Sequence, residues 1–496
     1  MEFKLKTSFI FSGDISKIEN EIKKILDEYK ENIEKEGGDI KEVSIEENIL
    51  EFSFNSEGNF RPHNSLLHLK NILSKKLGKE YHVGVREIKV SKYEIFFELE
   101  KKPLKKIDIP FAQLNIDDKK VTMILKEIDE EFLQRNYIDR MIKLVKEKTL
   151  DQYYEGKDEL WNLIWTSKEK KPVWNKDPTE EMLKKNWLKQ GPTKGKWFFN
   201  PQSAAIMKAM EKIAINEVLN PLGFQEVIES HIVPFEVWLK TGHMEGMPGE
   251  FYYVAEPKTR NVEEWQNFID LTKIKNEIPL EELKKNTETP NSGICYAQCP
   301  IIYWSLQGKT IAEDSLPVLI YDKTAVSNRY ESGGRHGIER VDEFHRLEPV
   351  YIGTREQLLD IREKLLDSYK HVFNDILDLE WRMAWVTPWY MQQAGIHDDK
   401  VSQEKGTIDF EAYMPYRGSR EKSEWLEFQN LSIIGDKYVK AFNIKTQKSD
   451  LWSGCSGIGL ERWVTAFLAQ KGLNPEKWPQ KFRKYFGEMP QGIKFL

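Results

Sequence analysis

The stretch from Asn328 to Glu348, NRYESGGRHGIERVDEFHRLE, limits what this chain can fold into more than any other. It follows an apolar, strand-like run, LPVLIYDKTAV at 316–326, and contains a hydrophilic Gly-Gly turn before the chain returns. Two strand-like runs joined by a glycine-rich turn are typical of an antiparallel hairpin. The sequence therefore predicts a β-hairpin that carries polar side chains close to its loop.

The predicted hairpin concentrates three kinds of side chain on one face. Arg340, Phe344 and Glu348 recur every four residues along the returning strand, so we expect them to leave the same face of a sheet. Arg329 and Glu331 end the outgoing strand and are able to point to that face as well. Arginines bind phosphates, a ring stacks on a base, and a carboxylate accepts from an amine or binds a metal. The set suits a nucleoside triphosphate, although an edge hairpin laced with surface ion pairs has the same spacing.

Composition limits the classes of protein that the chain represents. Its 496 residues suffice for two or three domains, and a formal net charge of −6 gives no overall basic surface for nucleic acid. The sequence has no apolar run long enough to span a bilayer and no signal-like N-terminal segment. We therefore expect a cytoplasmic protein with no membrane partner, in which any contact with nucleic acid comes from a local patch.

Three cysteines, Cys295, Cys299 and Cys455, have a spacing that indicates no disulfide framework. In a reducing compartment, a few cysteines beside polar motifs favour metal binding or catalysis over disulfide bridges. The alternative, that each cysteine is simply a small buried apolar residue, stays open at this point.

Changes in composition divide the chain into three parts. Residues 1–165 combine strand-like stretches with amphipathic helices, one of them over about 127–148, and are predicted to form an N-terminal α+β domain. Residues 166–200 are rich in Trp, Lys and Pro, which is typical of an ordered linker. Residues 201–496 contain the hairpin and the other motifs, and we expect them to form a second domain.

Charge is unevenly divided within the predicted N-terminal domain. Residues 14–51 carry 13 acidic and 6 basic side chains, whereas residues 61–106 carry 12 basic and 5 acidic ones. A basic flank is what binding to an RNA backbone requires, although lysines also cover ordinary solvated helix faces. The candidate RNA contacts in this flank are Lys70, Lys75, Lys76 and Lys79.

Two further segments complete a pattern around the hairpin. A helix predicted over Ser203–Leu219 is followed by a turn and by the strand-like run Phe224–Pro234, which closes on proline. After the hairpin, Gly457-Ile-Gly459-Leu-Glu-Arg462 opens an apolar helix. No parallel βαβ unit precedes these glycines, which argues against a dinucleotide site.

In this order, the three segments resemble the three motifs of class II aminoacyl-tRNA synthetases, over about residues 201–496. The resemblance implies an α+β fold, with an antiparallel β-sheet catalytic core flanked by helices, and a homodimer formed through the segment that ends at Pro234. The N-terminal α+β domain would then bind tRNA. The implied reaction is the activation of an amino acid by ATP with Mg²⁺.

Each hairpin and helix residue has a role in that reaction. Arg329 would bridge the α-phosphate and the amino-acid carboxylate, and Arg340 would reach the γ-phosphate. Phe344 and Arg462 would stack on the two faces of the adenine. Glu331 would accept from the adenine amino group. A carboxylate on a later predicted strand, Glu427, would bind Mg²⁺ between the phosphates.

The amino-acid pocket is predicted to contain a metal. In a class II sheet Cys299, Glu348 and Cys455 would converge on the floor of that pocket. Two thiolates and a carboxylate make a tetrahedral Zn²⁺ site with its fourth position open. Cys295 is an alternative to Cys299 because the two residues could share a helical face, and three unrelated residues remain the other interpretation.

With this set the chain resembles the atypical, zinc-dependent seryl-tRNA synthetases of methanogenic archaea over nearly its full length. The resemblance implies L-serine as the substrate, zinc as the group that recognises its amine, and tRNA(Ser), with tRNA(Sec) as a second acceptor to test. The family's serine pocket corresponds here to Trp389, Gln393, Asn430 and Ser432. Two interpretations stay open beside this one: an activating enzyme for another small amino acid or for a carrier protein, and a catalytically silent RNA-binding relative.

Overall fold

A computed structural model gives the positions of residues 1–126, 128–135, 137–154, 161–324, 326–329, 334–386 and 404–493. The chain divides into two units, Met1–Lys157 and Asp158–Leu496, each with its own core.

The first unit is a sheet with helices. Its strands are β1 (Glu2–Phe11), β2 (Gly38–Glu46), β3 (Ile49–Glu57), β4 (Val85–Glu98), β5 (Ala112–Asp117) and β6 (Lys120–Leu125). Its helices are α1 (Glu19–Glu34), α2 (Pro62–Tyr81), α3 (Glu130–Gln134) and α4 (Tyr137–Tyr154). In the described part of this unit the six strands pair antiparallel in the order β2-β3-β1-β4-β6-β5.

The apolar pattern of the first unit explains how sheet and helices pack. Alternate residues of β1, including Phe3 and Leu5, are buried on one face of the sheet. Along α2, Leu66, Leu69 and Leu73 are buried at three- and four-residue spacing. All of these side chains belong to one hydrophobic cluster, so the sheet and the helices share a single core.

One helix boundary in this unit differs from the sequence pattern. The pattern is continuous over residues 127–148, whereas α3 ends at Gln134 and α4 begins at Tyr137. Leu133 of α3 and Ile138 of α4 are both buried, on either side of the break. Periodicity alone therefore predicts one helix, whereas the Asp129 side chain caps a short first one by accepting from the Phe132 amide at 2.7 Å.

The second unit contains the remaining strands. They are β7 (Trp161–Thr166), β8 (Leu188–Gln190), β9 (Trp197–Phe199), β10 (Gln225–Val227), β11 (Ile232–Pro234), β12 (Tyr253–Val254), β13 (Ser292–Ile294), β14 (Val318–Asp322), β15 (Val326–Asn328), β16 (Glu343–Gly353), β17 (Trp381–Val386), β18 (Gly406–Ala412), β19 (Leu426–Gly435), β20 (Trp452–Cys455) and β21 (Ile458–Gly459). The main sheet has the order β10-β14-β16-β20-β19-β18-β17-β7, and β15 and β21 also pair with β16. The β10–β14 pair is parallel and the other described pairs of this sheet are antiparallel.

Helices cover both faces of this sheet. They are α5 (Pro178–Lys184), α6 (Pro201–Ile213), α7 (Phe235–Thr241), α8 (His243–Gly246), α9 (Gln266–Lys275), α10 (Leu280–Asn286), α11 (Cys299–Ser305), α12 (Arg355–His371), α13 (Lys437–Ala441), α14 (Leu460–Lys471) and α15 (Gln480–Phe486). Leu347 and Tyr351 of β16 join the core formed with α6, α12 and α14, whereas Val350 and Ile352 join the core formed with α7, α11 and α13. Because strand residues alternate between faces, Phe344, Arg346 and Glu348 lie on the second of these faces.

The predicted hairpin is confirmed, with a shorter returning strand. Both β14 and β15 pair antiparallel with β16, and Ser327 lies opposite Phe344 in the register. Arg340, however, precedes β16 and forms an isolated bridge with His336. The expectation that Arg340 shares a strand face with Phe344 and Glu348 is therefore wrong, because the loop is not yet extended strand at that residue.

The segment between the two predicted domains belongs to the second unit. The predicted boundary after residue 165 would leave most of β7 in the first domain, but β7 pairs with β17 of the main sheet. Residues 166–200, predicted to be a linker, contain α5, β8 and β9. Among the described residues, no helix is both long enough and apolar enough to cross a membrane.

Candidate active site

A cavity of about 280 Å³ opens between β16, β18, β19 and the start of α14. The predicted site residues that line it are Arg329, Phe344, Glu427, Asn430 and Arg462. The hairpin and the Gly-x-Gly-x-x-Arg segment, far apart along the chain, therefore meet at one pocket. Its other walls include Thr407, Asp409 and Glu461, which the sequence analysis did not select.

Arg329 lies between two aromatic rings. Its guanidinium carbon is 5.4 Å from the ring centre of Phe344 and 5.5 Å from that of Tyr296. Tyr296 is itself held by a hydrogen bond from its hydroxyl to Glu250, at 2.7 Å. In the part of the chain that the structure describes, no carboxylate forms an ion pair with Arg329. The guanidinium is thus oriented by cation–π contacts while its charge is left for an anion.

Arg462, in the first turn of α14, is oriented by hydrogen bonds instead. Its Nη1 donates to the carboxylate and to the backbone carbonyl of Glu427, both at 3.0 Å, and its Nε donates to the carbonyl of Glu339 at 3.1 Å. Asn430 supports the same segment, because its Oδ1 accepts from the Gly457 amide at 2.9 Å. The pocket therefore presents Phe344 on β16 and Arg462 on α14, with Arg462 bonded to the hairpin loop through Glu339.

Several predicted residues lie outside this cavity. Arg340 is partly exposed and its Nη2 forms an ion pair with Glu424 at 2.6 Å. Ser432 is buried in the sheet, opposite Cys455 in the register, and its hydroxyl bonds to that of Thr407 at 2.8 Å. Three predicted residues, Glu331, Trp389 and Gln393, fall outside the described residues.

The fold does bring the predicted metal ligands together. Cys299 begins α11, Glu348 lies in the middle of β16 and Cys455 ends β20. All three are buried, and one sulfur or carboxylate oxygen from each lies within 4.8 Å of the others. Cys295, the alternative ligand, is buried apart from this cluster, with its sulfur 3.7 Å from Glu229 Oε1. The geometry thus favours Cys299 over Cys295.

Burial disfavours a negative charge on two members of this cluster, Glu348 and Cys455. Burial raises the pKa of the Glu348 carboxyl, although the guanidinium of Arg346 lies beside it. Arg346 Nε is 2.9 Å from Glu348 Oε2 but donates its hydrogen to Gln298 Oε1, also at 2.9 Å, so that Oε2 has no hydrogen bond. The pKa of the Cys455 thiol is also raised, because the thiol is hydrogen-bonded to Cys299 and is buried. The Glu348 carboxyl and the Cys455 thiol, whose raised pKa disfavours their charged forms, lie with the Cys299 sulfur in a donor set that fits Zn²⁺.

Arg346 is the residue that the sequence analysis missed. It lines the cavity and also contacts Glu348, so it joins the two parts of the site. The four-residue spacing of Arg340, Phe344 and Glu348 does not include it. The two-residue period of a strand, applied to Phe344 and Glu348, selects Arg346 directly.

Comparisons with known proteins agree with this architecture. The cytoplasmic serine–tRNA ligase of Naegleria fowleri has the same fold, with a TM-score of 0.51 and 14% identity over 74% of this chain and 83% of that one. The fold is that of a class II aminoacyl-tRNA synthetase. The seryl-tRNA synthetase of M. kandleri, solved with A. aeolicus tRNASec, matches far more closely: TM-score 0.85, 26% identity, 100% of this chain and 99% of that chain.

Sequence relatives define the family. Type-2 serine–tRNA ligases from Methanococcoides burtonii and Methanocaldococcus jannaschii are 44% and 31% identical to this chain. The first alignment covers 100% of both proteins, and the second covers 99% of this chain and 97% of its relative. Residues 1–147 match a family described as a tRNA-binding domain. The chain belongs to the type-2 serine–tRNA ligase family.

Proposed function

We propose that this chain activates L-serine with ATP, forming seryl-adenylate, and transfers the seryl group to tRNA(Ser). The observation that carries the proposal is the position of Arg346, which lines the cavity of about 280 Å³ and contacts Glu348 of the Cys299–Glu348–Cys455 cluster. One site thus offers cations for a triphosphate beside a buried set of candidate metal ligands. An amino acid held by such a metal next to ATP would have its carboxylate close to the α-phosphate, the two anions that the reaction joins.

In this proposal the nucleotide occupies the cavity. The adenine lies between Phe344 and Arg462, and Arg329 bridges the α-phosphate and the serine carboxylate. Attack of the carboxylate on the α-phosphorus needs no general base, so positioning and charge stabilisation supply most of the catalysis. The stacking of Arg329 on two rings supports its part, because the cation is oriented before the substrates arrive.

Three other residues are assigned to the γ-phosphate, the adenine amino group and Mg²⁺. Arg340 would reach the γ-phosphate by leaving its ion pair with Glu424, and Glu331 would accept from the adenine amino group. Glu427, whose Oε2 accepts from Arg462, would bind Mg²⁺, which would offset negative charge on the phosphates. These three roles rest on the family motifs.

The serine pocket is assigned to the buried side of the site. Cys299, Glu348 and Cys455 would hold Zn²⁺, which when bound supplies a Lewis-acid position for the serine amino group. Asn430 and Ser432 would form one wall for the side chain. Gln393 and Trp389 would supply the hydroxyl partner and the opposite wall. An amine-binding metal does not distinguish one amino acid from another, so these walls must select serine.

The first unit would bind tRNA. Its match to a tRNA-binding family supports this role, as does the exposure of Lys75, Lys76 and Lys79 on α2. Lys70 is less available, because its Nζ is paired with Glu130 at 2.6 Å. The acceptors to test are tRNA(Ser) and, in view of the M. kandleri complex, tRNA(Sec).

A homodimer through the segment that ends at Pro234 is also part of the proposal. The observation in its favour is the exposure of apolar side chains there, with Ile228 80% and Ile232 49% exposed. Apolar side chains this exposed, close together along the chain, are typical of an interaction surface.

The experiment that tests the function is serine-dependent exchange of pyrophosphate into ATP. Purified protein loaded with zinc is assayed with each proteinogenic amino acid in turn, and then with serine and tRNA(Ser) or tRNA(Sec). We expect exchange with serine and esterification of tRNA(Ser). Exchange with a different amino acid would correct the substrate, and binding of tRNA without any exchange would instead identify a silent RNA-binding relative.

A further inference from the structure

The loop of the hairpin is held by the segment that precedes the catalytic helices. The Ile338 amide donates to the Thr179 hydroxyl at 3.1 Å, and the Trp197 indole donates to the Gly337 carbonyl at 2.8 Å. The Asp342 amide donates to the Gly195 carbonyl at 2.8 Å. The described part of this loop, residues 334–342, is thus fixed along its length.

Glu339 is at the centre of this arrangement. Its side chain is 1% exposed, and its Oε1 accepts from His336 Nδ1 at 2.6 Å and from Arg417 Nη2 at 2.8 Å. Its Oε2 is buried without a hydrogen-bond partner. Burying a carboxylate carries a desolvation cost, so the charge of Glu339 must be balanced by both His336 and Arg417.

The backbone of the same residue belongs to the nucleotide cavity. Glu339 lines the pocket, and its carbonyl accepts from Nε of Arg462 at 3.1 Å. Glu427 holds the Nη1 end of the same guanidinium through its carboxylate and its backbone carbonyl. A shift of Glu339 would therefore release the Nε end and let the guanidinium of Arg462 turn.

We propose that Glu339 is a positioning residue for ATP: its carboxylate, clamped by His336 and Arg417, holds its own carbonyl where that carbonyl orients Arg462. The inference rests on the proposed role of Arg462 in binding adenine. It assigns to the hairpin loop a second role, beside that of presenting Arg340 to the phosphates.

Gly337 provides an independent indication that the carboxylate has one permitted position. Its φ is +52°, and a Cβ placed there would lie 2.2 Å from Glu339 Oε2 and 2.7 Å from the Thr179 hydroxyl. A side chain at this residue would displace the carboxylate without removing it. Gly337→Ala is therefore a second way to disturb the clamp.

The clamp also predicts a pH dependence. The groups that face His336 are Glu339, Asp177 and Arg417; the hydrogen bond to Glu339 raises the pKa of His336 above its ordinary value of 6.5, against the effect of burial. The protonated imidazole is present below its ordinary pKa and is lost as the pH rises through the raised value. The contribution of His336 to ATP binding should be lost over the same range.

The test is binding of a non-hydrolysable ATP analogue with Mg²⁺, measured by calorimetry on the full chain without serine. We expect Glu339→Ala to raise the dissociation constant about tenfold, the size of effect expected when a charge-assisted hydrogen bond is removed. Gly337→Ala should raise it in the same direction, and the Michaelis constant for serine should change little in either variant. Glu343→Gln is the matched control on the same hairpin, since its nearest cation, Lys196, is 3.9 Å away.

Thermal unfolding and a pH series separate positioning from folding. If Glu339→Ala retains the unfolding temperature and loses ATP affinity, and His336→Gln removes the decline of affinity at higher pH, the inference stands. Wild-type affinity in a folded Glu339→Ala protein would overturn it, as would equal losses for the analogue and serine. Analogue binding needs no serine, so failure of the serine assay would count against the proposed function and leave this result intact.

Discussion

The two halves of the site, the cavity and the buried Cys299–Glu348–Cys455 cluster, differ in how their charges are balanced. In the cavity proposed for ATP the cations are held by protein groups: Arg462 by Glu427 and Glu339, and Arg329 by the rings of Phe344 and Tyr296. In the buried cluster, Cys299, Glu348 and Cys455 carry potential anions, and Arg346 is the cation beside them in the described residues. The first half is oriented before any ligand binds, whereas the second places three potential anions beside one guanidinium.

The difference indicates which half depends on a bound ion. Cations that the protein itself orients keep their geometry when the site is empty, so ATP binding should survive the loss of zinc. The pKa of the Glu348 carboxyl and that of the Cys455 thiol are raised, which disfavours their charged forms, so we expect the proposed serine pocket to be complete only with zinc. The predictions below test this contrast, beginning with the largest expected effect.

Replacing Cys455 with Ala should abolish serine activation. It leaves too few ligands for zinc, while the fold should be largely retained because the sheet around β20 is extensive. Elemental analysis and pyrophosphate exchange on the same sample measure both effects. The control is Cys295→Ala, which should retain about one zinc per chain; loss of zinc in this control with retention in Cys299→Ala would reverse the choice of ligand.

Replacing Arg329 with Ala should slow adenylate formation by about 10²–10³, because removing a charge-assisted hydrogen bond to the reacting phosphate costs about 2–4 kcal/mol. Zinc content and tRNA binding should stay unchanged, since neither depends on this guanidinium. Single-turnover formation of adenylate is the measurement, with Arg483→Ala on α15 as the exposed-arginine control. A normal rate in the Arg329 variant would make that residue structural and would remove the hairpin from the mechanism.

Neutralising Lys75, Lys76 and Lys79 together should have the smallest effect on serine activation and should measurably weaken tRNA binding. For every lysine–phosphate ion pair that is removed, the slope of log affinity against log salt should fall by roughly 0.7–0.9. Filter binding over a salt series measures the slope, and pyrophosphate exchange without tRNA should be unchanged. The control neutralises Lys17, Lys23 and Lys24 in the acidic stretch 14–51; an equal change in slope there would refute a localised basic flank.

The sequence predicts the residues of the site better than their surroundings. Arg329, Phe344 and Arg462 could be selected because motif spacing and chemical type both distinguish them. Glu339 could not, because its role depends on contacts with His336 and Arg417 that only the folded loop creates. Arg346 could have been found by applying the two-residue period of the strand.

Segment boundaries were harder to predict for a related reason. The composition of residues 166–200 is that of a linker, and nothing local indicates that Thr179 and Trp197 hold the hairpin loop. The same holds for β7, whose place in the main sheet depends on pairing with β17, distant along the chain. Local patterns predict strands and helices, whereas partners separated by more than a hundred residues require the structure.

The contrast between the two halves is tested most directly by binding measurements on metal-free protein. Zinc is removed with a chelator, and the dissociation constants of a non-hydrolysable ATP analogue and of serine are measured before removal, after it and after zinc is restored. We predict that analogue affinity changes by less than about threefold, within ordinary variation for an intact site, while serine binding disappears and returns with zinc. Undiminished serine binding in the metal-free protein would contradict the account.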